Sequence, residues 1–356
     1  MQRNLFVFLG RRGAVSRWIM DIAALAPPGA AFVVSRQNEI YERIRGSGAD
    51  VVGVDTFRDA RDAILFLPRI FAARRAISEV IESRRIDRVI VLMSHVWTPL
   101  LANSVRNSGA EYVVVVHDAA PHPGDATGRL HRWLMRDALK ADKVITLSGY
   151  VSDQLIRSYP AVRGRVETLF HPALGVQSDP CEPRAAGELR FLYFGRILPY
   201  KGLALFVEAC EMLHRERLPF RVSVVGEGEL GGLRPCLERI GAGISNHWLD
   251  DSKVPATVRA HDVIVVPSVE ASQSGVAAVS FAAGKPVLAT PVGGLPEQIA
   301  HGRTGLIAQA VSAEAIASEM RRLVLDRNLY ARLVEGVRQD RSAVSIERFL
   351  KALDGL

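Results

Sequence analysis

The stretch HDVIVVPSVEASQSG, residues 261–275, joins an apolar strand to a polar loop. Its Val and Ile residues follow one another without alternating polar positions, which is typical of a strand buried on both faces of a parallel sheet. The loop then supplies a carboxylate at Glu270 and two hydroxyls at Ser272 and Ser274. Because open parallel sheets bind ligands beyond the carboxyl ends of their strands, the stretch predicts a site for a polar, hydroxylated ligand.

Similar apolar runs, separated by helix-length amphipathic segments, occur along the whole chain. In the first half the predicted strands are NLFVFLG, AAFVVS, VVGVD, RVIVLM, YVVVVHD, KVITLS and RVETLF. In the second half they are LRFLYFG, RVSVVG, HDVIVVPS and KPVLATPV, with a weak candidate at NHWLD. This alternation predicts the fold class α/β, with two Rossmann-like, doubly wound parallel-sheet domains that face each other across a cleft.

The length of 356 residues fits two domains better than a single core. Pro, Gly and polar residues cluster without periodicity near 171–188, which indicates a linker. We predict an N-terminal domain at 1–172, a linker at 173–188 and a C-terminal domain at 189–340. Apolar residues at helical spacing near the end of the chain predict a C-terminal helix at 341–356, which would pack back on the N-terminal domain.

The net charge of +7 lies entirely in the first half. Residues 1–172 contain 24 Lys and Arg against 17 Asp and Glu, whereas residues 173–356 contain 21 of each. This asymmetry predicts that the first half faces an anionic membrane surface, a phosphorylated acceptor or nucleic acid. The sequence contains no nucleic-acid-binding motif and no basic patch interleaved with aromatic residues, which argues against nucleic acid.

The cysteine content and the apolar runs predict the compartment. The three cysteines, Cys181, Cys210 and Cys236, have neither a metal-binding spacing nor the even number of a disulfide set. The start of the chain has too short an apolar run for a signal peptide, and no run of about 18 apolar residues occurs. We therefore expect a reduced, cytoplasmic protein.

Two bases, Arg196 and Lys201, lie in FGRILPYKGL between a predicted strand and a predicted helix. Cations beside the free N–H groups of a helix N-terminus attract phosphate, although a pair of solvated surface bases is the alternative. The turn GRRGAV, which contains Gly10 and Gly13, follows the first strand and is a second candidate for phosphate contact. Its spacing matches neither the dinucleotide-binding motif nor the Walker motif.

His117 ends the apolar run YVVVVHD. A structural role is the alternative, but its position after a strand favours a hydrogen bond to a sugar hydroxyl or an acceptor group. The sequence shows no Ser-His-Asp set, no H-E-x-x-H motif and no D-x-D-like pair that ends a strand of the first domain. We therefore expect a metal-independent site, in which Arg196 and Lys201 supply the electrostatic stabilisation that a metal would give.

The second half resembles the family-4 (group 1) retaining glycosyltransferases, which have the GT-B fold. The matching stretches are FGRILPYKGL, VVGEGEL and VPSVEASQSGVAAVSFAAGKPVLATPVGGLPEQIAHGRTGLI. In the first half VVVVHD and ADKVITLSGYVSDQL match more loosely. The resemblance covers most of the chain, and it implies a nucleotide-sugar donor bound by 189–340 as a substrate, with no cofactor, and an acceptor bound on the side of 1–172.

The resemblance also implies roles for the candidate residues. Arg196 and Lys201 would bind the donor diphosphate, and Glu270 would accept hydrogen bonds from the donor sugar. His117 would lie near the reacting sugar. The backbone that meets the phosphate and the sugar would be that of Ser274, Gly275 and Val276, and the turn near the diphosphate would be that of Gly10 and Gly13.

The chain departs from the family pattern in how the donor ribose would be bound. In the family, a second Glu that lies eight residues after the first usually binds this ribose. Counting from Glu270 gives Ala278, and anchoring on GKPV gives Val279. Both positions are apolar, so ribose binding must differ in this chain.

We interpret the chain as a retaining, metal-independent hexosyltransferase that moves a sugar to a lipid-linked saccharide acceptor in bacterial polysaccharide assembly. No second acid is placed as a nucleophile, which favours front-face substitution with the leaving diphosphate as proton acceptor. The alternatives are a sugar-nucleotide-binding scaffold that has lost catalysis, which the missing second Glu supports, and another enzyme of the same architecture, such as an epimerase.

The segment 57–88 is the candidate contact with an anionic membrane. It mixes apolar residues with arginines, among them Phe66, Leu67, Ile70 and Phe71 with Arg69, Arg74, Arg75, Arg84, Arg85 and Arg88. A basic amphipathic helix lies in the plane of an anionic interface, whereas the alternative is an ordinary packed helix with a solvated Arg face. The first interpretation predicts peripheral association with the inner face of the cell membrane.

Overall fold

The computed structural model describes residues 2–26, 28–57, 67–121, 128–175 and 187–356. These residues form two compact units. The first contains the described residues up to Phe170 and, in addition, the C-terminal segment Ile346–Leu356. The second contains the described residues of His171–Ser345. Each unit is built on one parallel sheet.

Seven parallel strands form the sheet of unit 1, in the order β3-β2-β1-β4-β5-β6-β7. The chain runs from β1 outward to β3 and then returns to the other side of β1, which is the doubly wound order. The strands are Asn4–Phe8 (β1), Ala31–Ser35 (β2), Asp50–Val54 (β3), Arg88–Val91 (β4), Glu111–Val116 (β5), Lys143–Thr146 (β6) and Val166–Thr168 (β7). The predicted strands of the first half are therefore confirmed.

Helices alternate with the strands of unit 1. They are Ala14–Ala24 (α1), Tyr41–Arg45 (α2), Leu67–Arg84 (α3), Thr98–Asn107 (α4), Gly128–Lys140 (α5) and Gly149–Ser158 (α6). Their apolar faces and the continuous Val/Ile strands bury one core, which includes Val7, Val33, Val91 and Val114. Burial of both sheet faces explains why these strands lack alternating polar residues.

Six parallel strands form the sheet of unit 2, in the order β10-β9-β8-β11-β12-β13. They are Leu189–Phe194 (β8), Phe220–Val225 (β9), Gly243–Ser245 (β10), Val263–Val266 (β11), Val287–Ala289 (β12) and Gly305–Ile307 (β13). The fold class α/β, with two doubly wound parallel sheets, is thus confirmed. The helices of this unit are Leu203–Arg215 (α7), Arg234–Arg239 (α8), Val254–Arg259 (α9), Gly275–Ala282 (α10), Leu295–Gln298 (α11), Ala313–Leu325 (α12) and Arg327–Asp340 (α13).

Two edge strands of unit 2 differ from the prediction. The weak candidate NHWLD, residues 246–250, is not a strand, because the segment just before it, Gly243–Ser245, pairs with β9. The edge strand Gly305–Ile307 was not predicted at all. Each edge strand has three residues, which is too short for an apolar pattern to stand out in the sequence.

The last helix, Ile346–Asp354 (α14), belongs to unit 1. It begins at Ile346, and the residues before it form a 3₁₀ turn, Arg341–Val344, rather than the start of a helix at 341. Phe349 is fully buried, with its ring centroid 5.1 Å from that of Trp18. The buried guanidinium of Arg88 donates to the carbonyl of Leu353 at 2.7 Å. These contacts bind the end of the chain to its first sheet.

The predicted linker 173–188 lies mostly outside the described residues, which omit 176–186. Its first two residues are buried in unit 2, where Ala173 N donates to the carbonyl of Val344 at 2.7 Å and Leu174 N donates to that of Ala278 at 3.1 Å. Cys181 also falls in the omitted part. Cys210 and Cys236 are free thiols.

The segment 57–88 contains a packed helix, α3, which corresponds to the alternative interpretation of that segment. One face of α3 is buried in the core of unit 1 through Ile70, Ala73, Ile77, Val80 and Ile81. Several arginines of the segment bind within the protein: Arg69 to the carbonyl of Thr56, Arg75 to Glu79, Arg84 to Asp50 and Arg88 to Glu111. Phe66 lies outside the described residues. Among the helices that are described, none combines the length and the apolar character needed to span a bilayer.

Candidate functional site

The strand order of unit 2 brings two loops side by side. β8 and β11 pair in parallel, with Tyr193 opposite Val265, and the strand order reverses between them. Doubly wound sheets bind ligands at this kind of switch point, beyond the carboxyl ends of the strands. The loop after β8 carries Arg196 and Lys201, and the loop after β11 carries Glu270. Three predicted site residues therefore lie at one edge of one sheet.

Tyr200 connects these two loops, although no pattern in the sequence pointed to this residue. Its carbonyl accepts the N–H of Val269 at 2.8 Å and that of Glu270 at 3.5 Å. Its hydroxyl accepts a hydrogen bond from Arg196 Nη2 at 3.3 Å, and its ring centroid lies 4.8 Å from Lys201 Nζ. One buried tyrosine thus contacts both bases and the backbone of the acid. This arrangement orients the charged groups before a ligand arrives.

Glycine allows the loops at this edge to approach each other closely. Gly202, with a φ of 70°, precedes α7, and a Cβ there would lie 1.8 Å from the carbonyl oxygen of Pro267. Gly293, with a φ of 55°, would place a Cβ 1.4 Å from the carbonyl oxygen of Ala271. Any other residue would push the loops apart at both places. Glycine at 202 and at 293 is therefore required by the packing of the loops.

The charged side chains of this edge differ in exposure. Arg196 and Glu270 are exposed, and Lys201 is half-buried. The backbone of Ser274 is buried, whereas Gly275 and Val276 are half-exposed. Two cations, one carboxylate and a helix N-terminus can bind an anion next to a hydroxylated group.

The start of α10 is fixed by two side chains. Ser274 Oγ accepts the N–H of Ala277 at 3.2 Å and so caps the helix. The amide of Gln298, the last residue of α11, binds the Ser274 backbone on both sides: Ser274 N donates to Gln298 Oε1 at 3.0 Å, and Gln298 Nε2 donates to the Ser274 carbonyl at 2.9 Å. Sequence reasoning missed Gln298, because pairing of a side chain with a distant backbone leaves no pattern in the sequence.

The positions expected to carry a second acid are both buried. Ala278 is 1% exposed, and Val279 is 7% exposed. Both belong to α10. The structure therefore offers no carboxylate at either position, and a ribose would have to be held by other groups.

In unit 1 the turn from Gly10 to Gly13 is held by two residues of the loop between β2 and α2. Asn38 Nδ2 donates to the carbonyl of Gly10 at 2.9 Å, and Gly13 N donates to Glu39 Oε1 at 3.0 Å. A carboxylate thus accepts the N–H of Gly13, in the turn that the prediction places near the donor diphosphate. Contact between that N–H and a phosphate requires Glu39 to move away.

His117 follows β5 and is anchored to the fold. Its Nε2 lies 2.8 Å from the carbonyl oxygen of Leu92 and therefore donates to it, and its ring meets that of Trp18 edge-on at 5.7 Å. Burial lowers the pKa of His117, against the opposing effects of the Leu92 hydrogen bond and the charge of Asp118. The imidazole is neutral near pH 7, and its Nε2 is committed to the protein rather than to a ligand.

A second histidine, His95, lies at the switch point of unit 1, where β4 pairs with β1. Its ring stacks on Phe57 at 5.0 Å, and its Nδ1 accepts the N–H of Trp97 at 3.3 Å. Burial, and secondly the charge of Arg11, lower the pKa of His95 to about 4. This residue is a neutral, aromatic-lined group at the carboxyl edge of the first sheet.

Within the described ranges, no group of three or more His, Cys, Asp or Glu side chains could hold a metal ion. The expectation that catalysis is independent of metal stays a prediction.

Comparison with known proteins finds a glycosyltransferase family model that matches each unit. Residues 188–326 match the family described as "Glycosyl transferases group 1", and residues 12–169 match the "Glycosyl transferase 4-like domain". The chain belongs to the group 1 glycosyltransferases.

The curated relatives of the chain have names that indicate different substrates. It is 32% identical over 245 residues to a D-inositol 3-phosphate glycosyltransferase of Streptomyces avermitilis, a match that covers 61% of this chain and 52% of the relative. It is 27% identical to the alpha-maltose-1-phosphate synthase of Mycolicibacterium smegmatis, covering 66% of this chain and 68% of the relative. The chain spans about half the length of most curated relatives that it matches.

The solved structures support the GT-B arrangement of this group 1 glycosyltransferase. The Anabaena protein HepE, solved in complex with UDP and glucose, superposes with a TM-score of 0.76 at 16% identity, and the match covers 100% of both chains. At this identity the likeness establishes the fold alone. The resemblance stated from the sequence, to group 1 glycosyltransferases of the GT-B fold, is confirmed.

Proposed function

We propose that the chain is a retaining glycosyltransferase that transfers a sugar from a nucleotide-sugar donor to a saccharide acceptor. The observation that carries this proposal is the edge of unit 2, where Tyr200 joins Arg196, Lys201 and the backbone of Glu270. Cations suit a diphosphate, and an exposed carboxylate suits the hydroxyls of a sugar. The combination matches the diphosphate and the sugar of a nucleotide sugar.

The proposed reaction breaks the bond between the anomeric carbon and the diphosphate oxygen and forms a bond from the same carbon to the acceptor oxygen. Arg196 and Lys201 stabilise the negative charge that develops on the leaving diphosphate. The acceptor hydroxyl transfers its proton to that diphosphate as it attacks from the same face. This front-face route needs neither a carboxylate nucleophile nor a metal ion.

Glu270 has a separate role in this proposal. A carboxylate accepts hydrogen bonds only, so Glu270 suits the donor hydroxyls rather than the diphosphate. The helix α10 begins at Gly275, and the N–H groups of Gly275 and Val276, which precede the capped N–H of Ala277, suit anionic or polar groups of the donor. HepE was solved with UDP and glucose and also with UDP-glucose, which makes a UDP-sugar the first donor to test.

We also propose a lipid-linked acceptor, with the protein in the cytoplasm and at the inner face of the cell membrane during bacterial polysaccharide assembly. The excess of positive charge in the first half supports this part of the proposal.

A second candidate function is a scaffold that binds a nucleotide sugar without transferring the sugar. The observation that favours it is the buried, apolar character of Ala278 and Val279, where an acid is expected. A scaffold would bind the donor and release no product, whereas an epimerase on the same fold would change the donor sugar without any acceptor.

The test combines binding and turnover. Purified protein is screened by thermal shift against UDP-, GDP-, dTDP- and ADP-sugars, since a ligand that binds the folded state raises the melting temperature. The donor that binds is then incubated with glycan acceptors, and product anomers are identified by NMR. Lys201→Ala should lower kcat/KM roughly 10- to 150-fold, because a charge-assisted hydrogen bond is worth about 1.5–3 kcal/mol.

Lys253→Ala is the matched control, because Lys253 is an exposed lysine before α9, outside the two loops joined by Tyr200. It should keep normal turnover. Unchanged kcat/KM in Lys201→Ala would contradict the diphosphate assignment, and an inverted product would contradict retention.

A further inference from the structure

Helix α5, Gly128–Lys140, separates its residues into two faces. The inner face includes Met135, Asp137 and Ala138, which are 5%, 0% and 1% exposed. Inside the protein, Asp137 Oδ1 accepts a hydrogen bond from the hydroxyl of Tyr112 at 2.5 Å. The helix is thereby fixed on the sheet, and its outer face has a defined orientation.

The outer face of α5 is basic and partly apolar. Its residues follow one another at helical spacing: Arg129, Arg132, Trp133, Arg136, Leu139 and Lys140. The three arginines and Leu139 are exposed. The only acid of the helix, Asp137, is on the buried side. The exposed face therefore carries four positive charges and no compensating carboxylate from its own helix.

Helix α4 extends this face with apolar groups. Leu100 is 46% exposed and, with Pro99, lines a groove of about 350 Å³ whose other wall is formed by α5. Trp133 Nε1 donates to the carbonyl of Val96 at 2.8 Å, and Lys140 Nζ donates to that of Pro99 at 2.9 Å. We refer to Leu100, Trp133, Leu139 and the four bases of α5 as the α4–α5 face.

The composition of this face matches a lipid interface. Trp and Leu beside Arg and Lys allow an apolar part to enter the boundary of a bilayer while the bases contact anionic headgroups. The guanidinium of Arg136 lies 5.1 Å from the ring centroid of Trp133, which keeps the indole and a positive charge together. A protein partner would more often meet charges of both signs, and the exposed side of α5 offers one sign only.

Helix α3, the candidate that the sequence suggested, fits a membrane less well. Arg75 and Arg84 are paired with Glu79 and Asp50, which lowers their attraction for an external anion. Phe71 is 69% exposed, but it is the only residue of α3 among the large exposed apolar side chains of the described residues.

We infer that the α4–α5 face docks unit 1 on the surface of an anionic bilayer. This inference rests on the membrane part of the proposed function and is independent of sugar transfer. It replaces segment 57–88 as the contact and assigns the binding to Leu100, Leu139 and the arginines of α5.

The experiment is sedimentation of the full chain with phosphatidylcholine vesicles, with and without phosphatidylglycerol. The test variant, Arg132→Glu with Leu139→Ser, reverses one charge and removes one apolar side chain on the α4–α5 face. The matched control, Phe71→Ser with Arg74→Glu, makes the same two changes on α3. We expect the test variant to bind anionic vesicles about ten- to a hundredfold more weakly, because each surface base contributes about 1 kcal/mol and the leucine adds apolar burial.

The control should bind like the unmodified protein, even though its phenylalanine is more exposed than Leu139. Equal weakening of both variants would overturn the assignment, as would weakening of the control alone. Failure of the unmodified protein to bind anionic vesicles would remove the membrane part of the proposed function as well, and donor turnover would then decide the rest separately.

Two further measurements distinguish other causes of a weak test variant. Melting temperatures and donor thermal shifts should match those of the unmodified protein, since both changed residues belong to unit 1 and the candidate donor site belongs to unit 2. The second measurement compares the single variants and adds heparin beads as a polyanion without lipid. A general polyanion site would be identified by three results together: Arg132→Glu abolishes vesicle binding, Leu139→Ser leaves it unchanged, and the unmodified protein binds heparin as strongly as anionic vesicles. This outcome would contradict docking on lipid.

Discussion

Glu270 is the residue whose assigned role is most specific. It is exposed at the switch point of unit 2, next to the loop that carries Arg196 and Lys201. Glu270→Gln should lower kcat/KM roughly 10- to 150-fold, since neutral amide groups replace charge-assisted hydrogen bonds to the sugar. The affinity for free nucleoside diphosphate should change little, because the acid meets the sugar and not the nucleotide.

The comparison is steady-state kinetics beside calorimetric titration with the nucleoside diphosphate. Glu229→Gln serves as the control, because Glu229 is an exposed acid in a neighbouring loop, after β9. A parallel loss of nucleotide affinity and turnover in Glu270→Gln would mean that the acid has been assigned to the wrong part of the donor.

At this scale the sequence revealed charged residues but not what orients them. Arg196, Lys201 and Glu270 follow strands and carry the chemistry that a polar ligand requires, so position and residue type were sufficient. Tyr200 was missed because its role depends on its backbone carbonyl, its hydroxyl and its ring at once. No periodicity or spacing encodes such a contact.

Among the elements, the junction of α10 and α11 offers a direct test of site geometry. Gln298→Leu removes both hydrogen bonds to the Ser274 backbone. We expect kcat/KM to fall, by a factor of roughly 5–50, because a misplaced helix start weakens contacts to the donor. The melting temperature should fall by only a few degrees, since two hydrogen bonds contribute about 1–3 kcal/mol.

Gln339→Leu is the control, because Gln339 also donates a side-chain hydrogen bond, to Glu335, but on the surface of α13. Gln298→Glu keeps one acceptor for the Ser274 N–H and should recover part of the activity. Full activity in Gln298→Leu, measured with a tight-binding donor, would show that the Ser274 backbone is held without Gln298.

The elements themselves were largely predictable because parallel strands buried on both faces are continuous apolar runs. The exceptions are informative. β10 and β13 are edge strands of three residues, and the register of β10 with β9 is fixed by tertiary pairing rather than by local sequence. The basic segment 57–88 was ambiguous for a similar reason, since only packing shows which of its arginines are paired.

For the molecule as a whole, part of the pH dependence of stability follows from His95. The pKa of His95 in the folded protein is about 4, below the ordinary value of 6.5. As the pH falls from about 6.5 toward about 4, the unfolded chain therefore binds a proton that the folded chain does not. The free energy of unfolding should decrease across this window, with His95 contributing roughly 1–3 kcal/mol.

Urea denaturation at about pH 7 and about pH 4.5 measures this effect. His95→Asn, whose side-chain oxygen can accept the Trp97 N–H, should reduce the difference between the two pH values. His247→Asn changes an exposed histidine and should leave the difference intact. An unaltered pH dependence in His95→Asn would exclude His95 as its source.

The position of α14 has a consequence for synthesis. During translation the strands of unit 1 are made before unit 2, whereas the helix that covers Trp18 and binds Arg88 is made after it. Domains ordinarily fold in the order in which they emerge. Here the entire second unit must be synthesised while an indole and a guanidinium of unit 1 wait for the helix that contacts them, so unit 1 is completed only after unit 2 has been made.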